Sequence, residues 1–367
     1  MKHTTAFITS FIAAAVASPL VARQDIDFDL VDDTPNPTTA SIPLGETSQA
    51  VSHDLAEATE EATATPLPAN TTPTGAQKRE PVIAGRAACD PQPTGSGPVA
   101  AIDTAEEFLT YSALSTAATG ATTPSGYSNT FQDLHASSSA YGYMGMTTLS
   151  SYDPAQCAAF CDNIDGCLGI NIFFERNPTL EPGVGCEDPP STTVIKCVFW
   201  GGYVEAANAL NEGQYRDQFH VVIAGSNGYM KTAIPEVDGY DGEALGNAAI
   251  NAPLDCNGQD TYMGSKLFTT SRFDPGLCRS RYILPASRVS PERLTPQPIG
   301  AAACESQNEY NIAHPPAIGD PAICTFFTTY LMAKNGSPEG QYCALYTQYW
   351  DISYATNYVS AYLPSSL

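Results

Sequence analysis

Basic residues are scarce in this chain. Its 367 residues include 16 lysines and arginines against 39 aspartates and glutamates, a net charge of −23. Nucleic acids and anionic bilayers select basic surfaces, so neither is an expected partner. Long apolar runs are scarce as well. The run at residues 6–17, behind Lys2, is too short to span a bilayer. It reads as part of a signal peptide over residues 1–17, with Ala15-Val16-Ala17 as the small-x-small site cut after Ala17. The closing YVSAYLPSSL lacks the apolar tail of a GPI signal. The expectation is a secreted, extracellular protein with no membrane span.

Residues suited to catalysis and metal binding are few. Only His135, His220 and His314 follow residue 79, and no CxxC pair accompanies them, so no metal or cofactor is expected. Ala224-Gly225-Ser226-Asn227-Gly228 lacks the first glycine of a GxSxG elbow, which makes Ser226 a turn residue. His220 lies in a strand pattern, and Asp162 and Asp165 lie in a turn, where aspartate is common without a catalytic reason. No catalytic residue is assigned.

Cysteine is missing from the first 88 residues, and all eleven cysteines follow. In a secreted chain this implies a disulfide framework, with one thiol left free or paired between molecules. Residues 18–79 are rich in Thr, Ala, Pro and acidic residues and have almost no aromatics, so they are expected to be a disordered pro-segment. The segment ends in Lys78-Arg79, a dibasic processing site, and carries a sequon at Asn70. Asn335-Gly336-Ser337 is a second glycosylation acceptor. After residue 79 there remain 29 acidic and 12 basic residues, so the acidic excess persists.

The organising stretch is residues 141–174. Asp153 suits an N-cap, Pro154 the first helical position, and Gln156 a capping-box position. Cys157 and Cys161, four apart, share one helix face. Cys167 opens a strand in which Ile170, Ile172 and Phe174 alternate with Asn171 and Phe173. The pattern recurs. Tyr143-Met144-Gly145, Tyr152-Asp153-Pro154 and Cys157 match Tyr262-Met263-Gly264, Phe273-Asp274-Pro275 and Cys278. Cys167 then matches Cys324, and Cys197-Val198-Phe199-Trp200 matches Cys343-Ala344-Leu345-Tyr346. Four landmarks in one order indicate an internal repeat. Module one is placed at residues 86–224, and the linker with module two at residues 225–367. A helix is expected within residues 103–114, another helical stretch within 204–211, and strands at 194–200 and 218–223.

DPAQCAAFCDNIDGC followed by a strand, and later IKCVFW, resemble the PAN/apple superfamily. FHVVIAGSNGY and NAPLDCNGQDTYMG in paired modules resemble secreted ascomycete proteins with tandem apple-like modules, over roughly residues 86–357. The resemblance implies an α+β fold of two tandem disulfide-stapled modules, each an antiparallel sheet crossed by a short helix. It implies pairs Cys157–Cys197, Cys161–Cys167, Cys278–Cys343 and Cys304–Cys324, leaving Cys89, Cys186 and Cys256 unassigned. Apple-like modules elsewhere bind proteins or glycans and are not themselves catalytic.

Module two departs from module one in two ways. Removing residues 279–300 joins Cys278 to Ala301-Ala302-Ala303-Cys304 and restores the four-residue spacing, so these residues read as an insertion or a translated intron. The module-one strand after Gly213 has no sequence counterpart after Asn357, so an edge strand is expected to be missing.

Trp200, Tyr203, Tyr346, Tyr349, Trp350 and Tyr354 follow Cys197 and Cys343. Exposed rings stack on pyranose faces while nearby amides and carboxylates take sugar hydroxyls; alternatively these rings pack the sheet. The expectation is a non-catalytic recognition or adhesion protein whose partner is an extracellular glycan or protein. A structural component of a wall or surface layer, and a secreted enzyme without a recognisable motif, are the alternatives.

Overall fold

The computed structural model describes residues 28–34, 42–53, 87–233, 235–237, 240–243, 245, 248–269, 272–279, 303–334, 337–357 and 365–366. Residues 1–17, Asn70, Lys78, Arg79, Asn335 and all of 279–300 except Arg279 lie outside that set. The described residues form mostly antiparallel sheets with few helices.

The helix expected in the organising stretch is present. It is Pro154–Asp162, and Asp153 caps it by accepting the N–H groups of Ala155 and Gln156 at 2.9 and 3.1 Å. Ala-rich sequence without glycine carries it. Asn163 ends it, with Nδ2 donating to the Ala159 carbonyl at 2.7 Å. Its buried face is Cys157, Ala158 and Cys161. Around it lie three strands, Tyr143–Leu149 (β3), Gly169–Pro178 (β4) and Ser191–Trp200 (β5). Cys157–Cys197 ties the helix to β5, and Cys161–Cys167 ties it to the start of β4.

With Ser48–Ala50 (β1), Tyr127–Leu134 (β2), Gly213–Arg216 (β6) and Phe219–Lys231 (β7), these strands make a seven-stranded sheet. The order is β1-β3-β5-β4-β7-β2, with β6 also on β7. Alternation sorts the side chains onto two faces. Ile170, Ile172, Phe174, Ile195, Cys197 and Phe199 pack under the helix. Phe173, Val198 and Trp200 pack on the opposite face.

The second sheet repeats the plan. Tyr262–Phe268 (β9), Phe326–Lys334 (β10), Ser337–Tyr346 (β11) and Ser365–Ser366 (β13) run in the order β9-β11-β10-β13. That is the order β3-β5-β4-β7 transferred to the second set of landmarks. The repeated Tyr-Met-Gly has a structural meaning: Gly145 and Gly264 have φ of +104° and +110°, and pairing shifts register beside both. Each glycine supplies the left-handed residue of a bulge. Cys278–Cys343 and Cys304–Cys324 reproduce the module-one bridges, and Cys89–Cys186 adds a fifth. Cys256 is exposed and unbridged. A small sheet of Ala249–Ile250 (β8) and Ala355–Asn357 (β12) closes the end of this half.

Several expectations change. The edge strand expected to be missing from module two is supplied by β13, which pairs with Tyr330 and Leu331. The expected helix at 103–114 is two helices, Ala105–Thr110 and Ser112–Thr119, broken where Tyr111 takes an extended ψ of 107°. Residues 204–211 hold a single 3-10 turn, Ala206–Asn208. The 218–223 strand continues to Lys231, past the module boundary placed at residue 224. Ser226 is therefore not in a turn. It is fully buried within β7, where Asn171 Nδ2 donates to its Oγ at 2.9 Å. Gly228 permits this continuation, because a Cβ there would lie 2.3 Å from the Phe131 ring.

The largest change concerns residues 18–79, expected to lack order throughout. Two pieces of that stretch pack on the modules. Residues 48–50 form β1 on the outer edge of β3. Phe28–Asp33 forms a short helix whose Val31, 1 % exposed, lies in the core of the second sheet with Tyr330 and Tyr342. The average composition hid short apolar pieces, Leu30-Val31 and Ile42-Pro43-Leu44.

Candidate functional site

The two halves meet where module one carries its candidate rings. Trp200 is 1 % exposed and sits edge-on to Tyr143 with ring centres 5.5 Å apart. Gly201 and Gly202 follow, and the Gly201 carbonyl accepts the Phe273 N–H at 2.7 Å. Tyr203 is half-buried and lies edge-on to Phe273 at 6.2 Å. Burial, with a contribution from Glu205, raises its phenol well above the usual range. Tyr141 Oη donates to the Phe268 carbonyl at 3.0 Å, and Arg272 pairs with Asp165 at 3.0 Å. Leu331 joins the same apolar cluster as Trp200. Trp200 and Tyr203 thus seal module one against module two. Trp200 offers no stacking face, and its expected binding role is corrected; Tyr203 is half-buried with one edge against Phe273.

Two of the four module-two rings are also structural. Tyr346 is 1 % exposed between Tyr262 and Phe326. Trp350 is buried, and its Nε1 donates to Thr261 Oγ1 at 2.9 Å. Tyr349 and Tyr354 differ: they are 62 % and 38 % exposed. Tyr349 stands edge-on to Phe326 at 5.3 Å, and Tyr354 edge-on to Trp350 at 4.9 Å. The half-buried Phe326 and the buried Trp350 therefore brace the two exposed rings, and Ile352 adds apolar surface.

Between them lies Asp351. It caps the turn Ile352–Tyr354 by accepting the Ser353 N–H at 2.9 Å, and that bond, with the Ser353 hydroxyl, lowers its pKa. The lowered pKa keeps this exposed carboxylate ionised at neutral pH. Mild desolvation, then Asp351 and Glu243, raise the Tyr349 phenol, which stays a neutral donor. The arrangement is a ledge of two supported aromatic rings around a fixed carboxylate. Such a ledge can stack on an apolar ring face and accept hydroxyl hydrogen bonds. Burial alone separates its two rings from the other four, and spacing after a cysteine carries no signal of it.

The remaining polar candidates are held in structural contacts. Asp162 accepts Tyr127 Oη at 2.8 Å and pairs with Lys231 at 3.1 Å. His220 stacks on Tyr215 with ring centres 4.1 Å apart. His314 stacks on Tyr310 at the end of a helix. Among the described residues no cluster of three or more His, Cys, Asp or Glu side chains is arranged to hold a metal ion, and no helix is long and apolar enough to cross a membrane. No family model, curated protein or solved structure matches this chain.

Proposed function

We propose that this is an extracellular, non-catalytic recognition or adhesion protein of two tandem apple-like modules, and that it binds glycan on the ledge of Tyr349, Asp351 and Tyr354. The carrying observation is the exposure of Tyr349 and Tyr354 on a disulfide-braced sheet, beside an ionised carboxylate. The five disulfides suit an oxidising, extracellular setting. The net charge of −23 favours a neutral ligand over a polyanion. Among the described residues only module two carries exposed rings at this position, which gives one such site rather than the two that the repeat suggested. A glycan array probed with secreted full-length protein tests the reading. Binding to neutral oligosaccharides supports it. An empty array at high micromolar protein favours the structural wall component instead.

A further inference from the structure

Residues 42–53 belong to the stretch that dibasic cleavage after Arg79 would sever, yet their contacts are those of an integral strand. Ser48, Gln49 and Ala50 pair antiparallel with Thr147, Met146 and Gly145. The Thr148 N–H donates to the Thr47 carbonyl at 2.8 Å. The acceptor edge is shaped for this occupant. A Cβ on Gly145 would lie 2.2 Å from the Gln49 carbonyl oxygen, so the bulge glycine makes room for that strand. Tyr143 Oη donates to Gln49 Oε1 at 2.7 Å.

The second contact lies deeper. Lys196 and Glu175 form an ion pair at 2.7 Å on the sheet face away from the helix, with side chains 0 % and 3 % exposed. Lys196 Nζ also donates to the Pro43 carbonyl at 2.8 Å, and Pro43 is itself buried. Ile42 and Val51 flank it against the Trp200 cluster. A buried ammonium needs its hydrogen bonds filled, and the severable segment fills one of them. Without this segment the edge of β3 would also present unpaired backbone groups.

We propose that residues 42–51, which include the strand Ser48–Ala50, are a permanent part of module one and stay on the edge of β3 after the chain is cut at Lys78-Arg79, so that the cut protein is a two-chain, non-covalent complex. No disulfide can hold the pieces together, because the first cysteine is Cys89. Retention rests on strand pairing and on the Lys196–Pro43 contact. The pro-segment thereby becomes a light chain instead of a discarded leader.

The test uses the secreted full-length protein with a sequence-specific protease site in place of Lys78-Arg79. After complete cutting, gel filtration should find the N-terminal fragment co-eluting with residues 80–367. Amide hydrogen exchange across residues 143–149 should be as slow as before cutting. Separation of the fragment overturns the proposal. So does a fragment that co-elutes while exchange at residues 143–149 accelerates tenfold or more, since residues 28–34 on the second sheet would then be the anchor. A Gln49→Pro chain, which cannot complete the strand pairing, marks the unprotected rate.

Discussion

The Cys304 backbone N–H donates to the Cys278 carbonyl at 3.3 Å, although 25 residues separate the two positions in sequence. In an α-helix that bond joins residues four apart, as Cys161 and Cys157 are in module one. The Glu305 N–H reaches the Arg279 carbonyl at 3.3 Å in the same way. Helical hydrogen bonding therefore crosses the break between the 3-10 turn Pro275–Leu277 and the helix Ala303–Ala313.

Deletion of residues 279–300 should then leave the fold of module two intact. Ala301-Ala302-Ala303 would continue the turn directly, and the cost of closing the intervening loop would vanish. The expected outcome is a melting temperature raised by several degrees with Cys278–Cys343 and Cys304–Cys324 retained, read by thermal melts and non-reducing peptide maps. Failure to fold would make the segment integral.

Trp200→Ala should cost about 3–5 kcal/mol, since it empties a buried site at the junction of the modules. Denaturant unfolding measures this. Tyr349→Ala, at a residue 62 % exposed, should change stability by no more than about 0.5 kcal/mol.

Lys196→Met leaves Glu175 buried without its cation and should destabilise by about 3–5 kcal/mol. The double change Lys196→Met with Glu175→Leu should recover much of that loss, because two apolar groups leave no uncompensated charge. A double-mutant cycle by chemical denaturation distinguishes the two outcomes.

Asp103 latches the first loop to the sheet. Its side chain pairs with Arg176 at 2.8 Å and accepts the Ser191 backbone N–H, also at 2.8 Å. Desolvation by burial pushes its pKa up, but the Ser191 hydrogen bonds and then Arg176 outweigh it, and the net shift is downward. A folded pKa below the unfolded one means stability present above the ordinary aspartate range and lost as pH falls through it toward the folded value. Asp103→Asn should be less stable at neutral pH and should flatten the part of the acid limb below about pH 4. Parallel slopes for both proteins would remove Asp103 from the acid response.

Local chemistry was the legible part of the sequence. Asp153-Pro154 announces its helix because cap and first turn are neighbours in sequence. The Cys157–Cys197 pairing could be proposed only through the family resemblance, yet both partners are found at bridging distance, with Cα atoms 5.6 Å apart. Contacts between distant segments left no such trace. Composition averaged over residues 18–79 conceals that three residues, 48–50, complete a sheet edge. Tyr203 and Tyr349 both stand six residues after matched cysteines, but Tyr203 is half-buried against Phe273 of module two while Tyr349 is open. Gly-Ser-Asn-Gly at residues 225–228 looks like a turn because its partners, Asn171 and Phe131, lie on other strands.

The most direct test of the recognition ledge is titration of a neutral oligosaccharide, selected on the array, into wild type, Tyr349→Ala and Tyr354→Ala. Melting curves of all three proteins are run alongside. Each aromatic face is worth about 1 kcal/mol beyond simple area burial, so each substitution should weaken binding at least fivefold with the melt unchanged. Equal affinity for all three proteins would contradict the account.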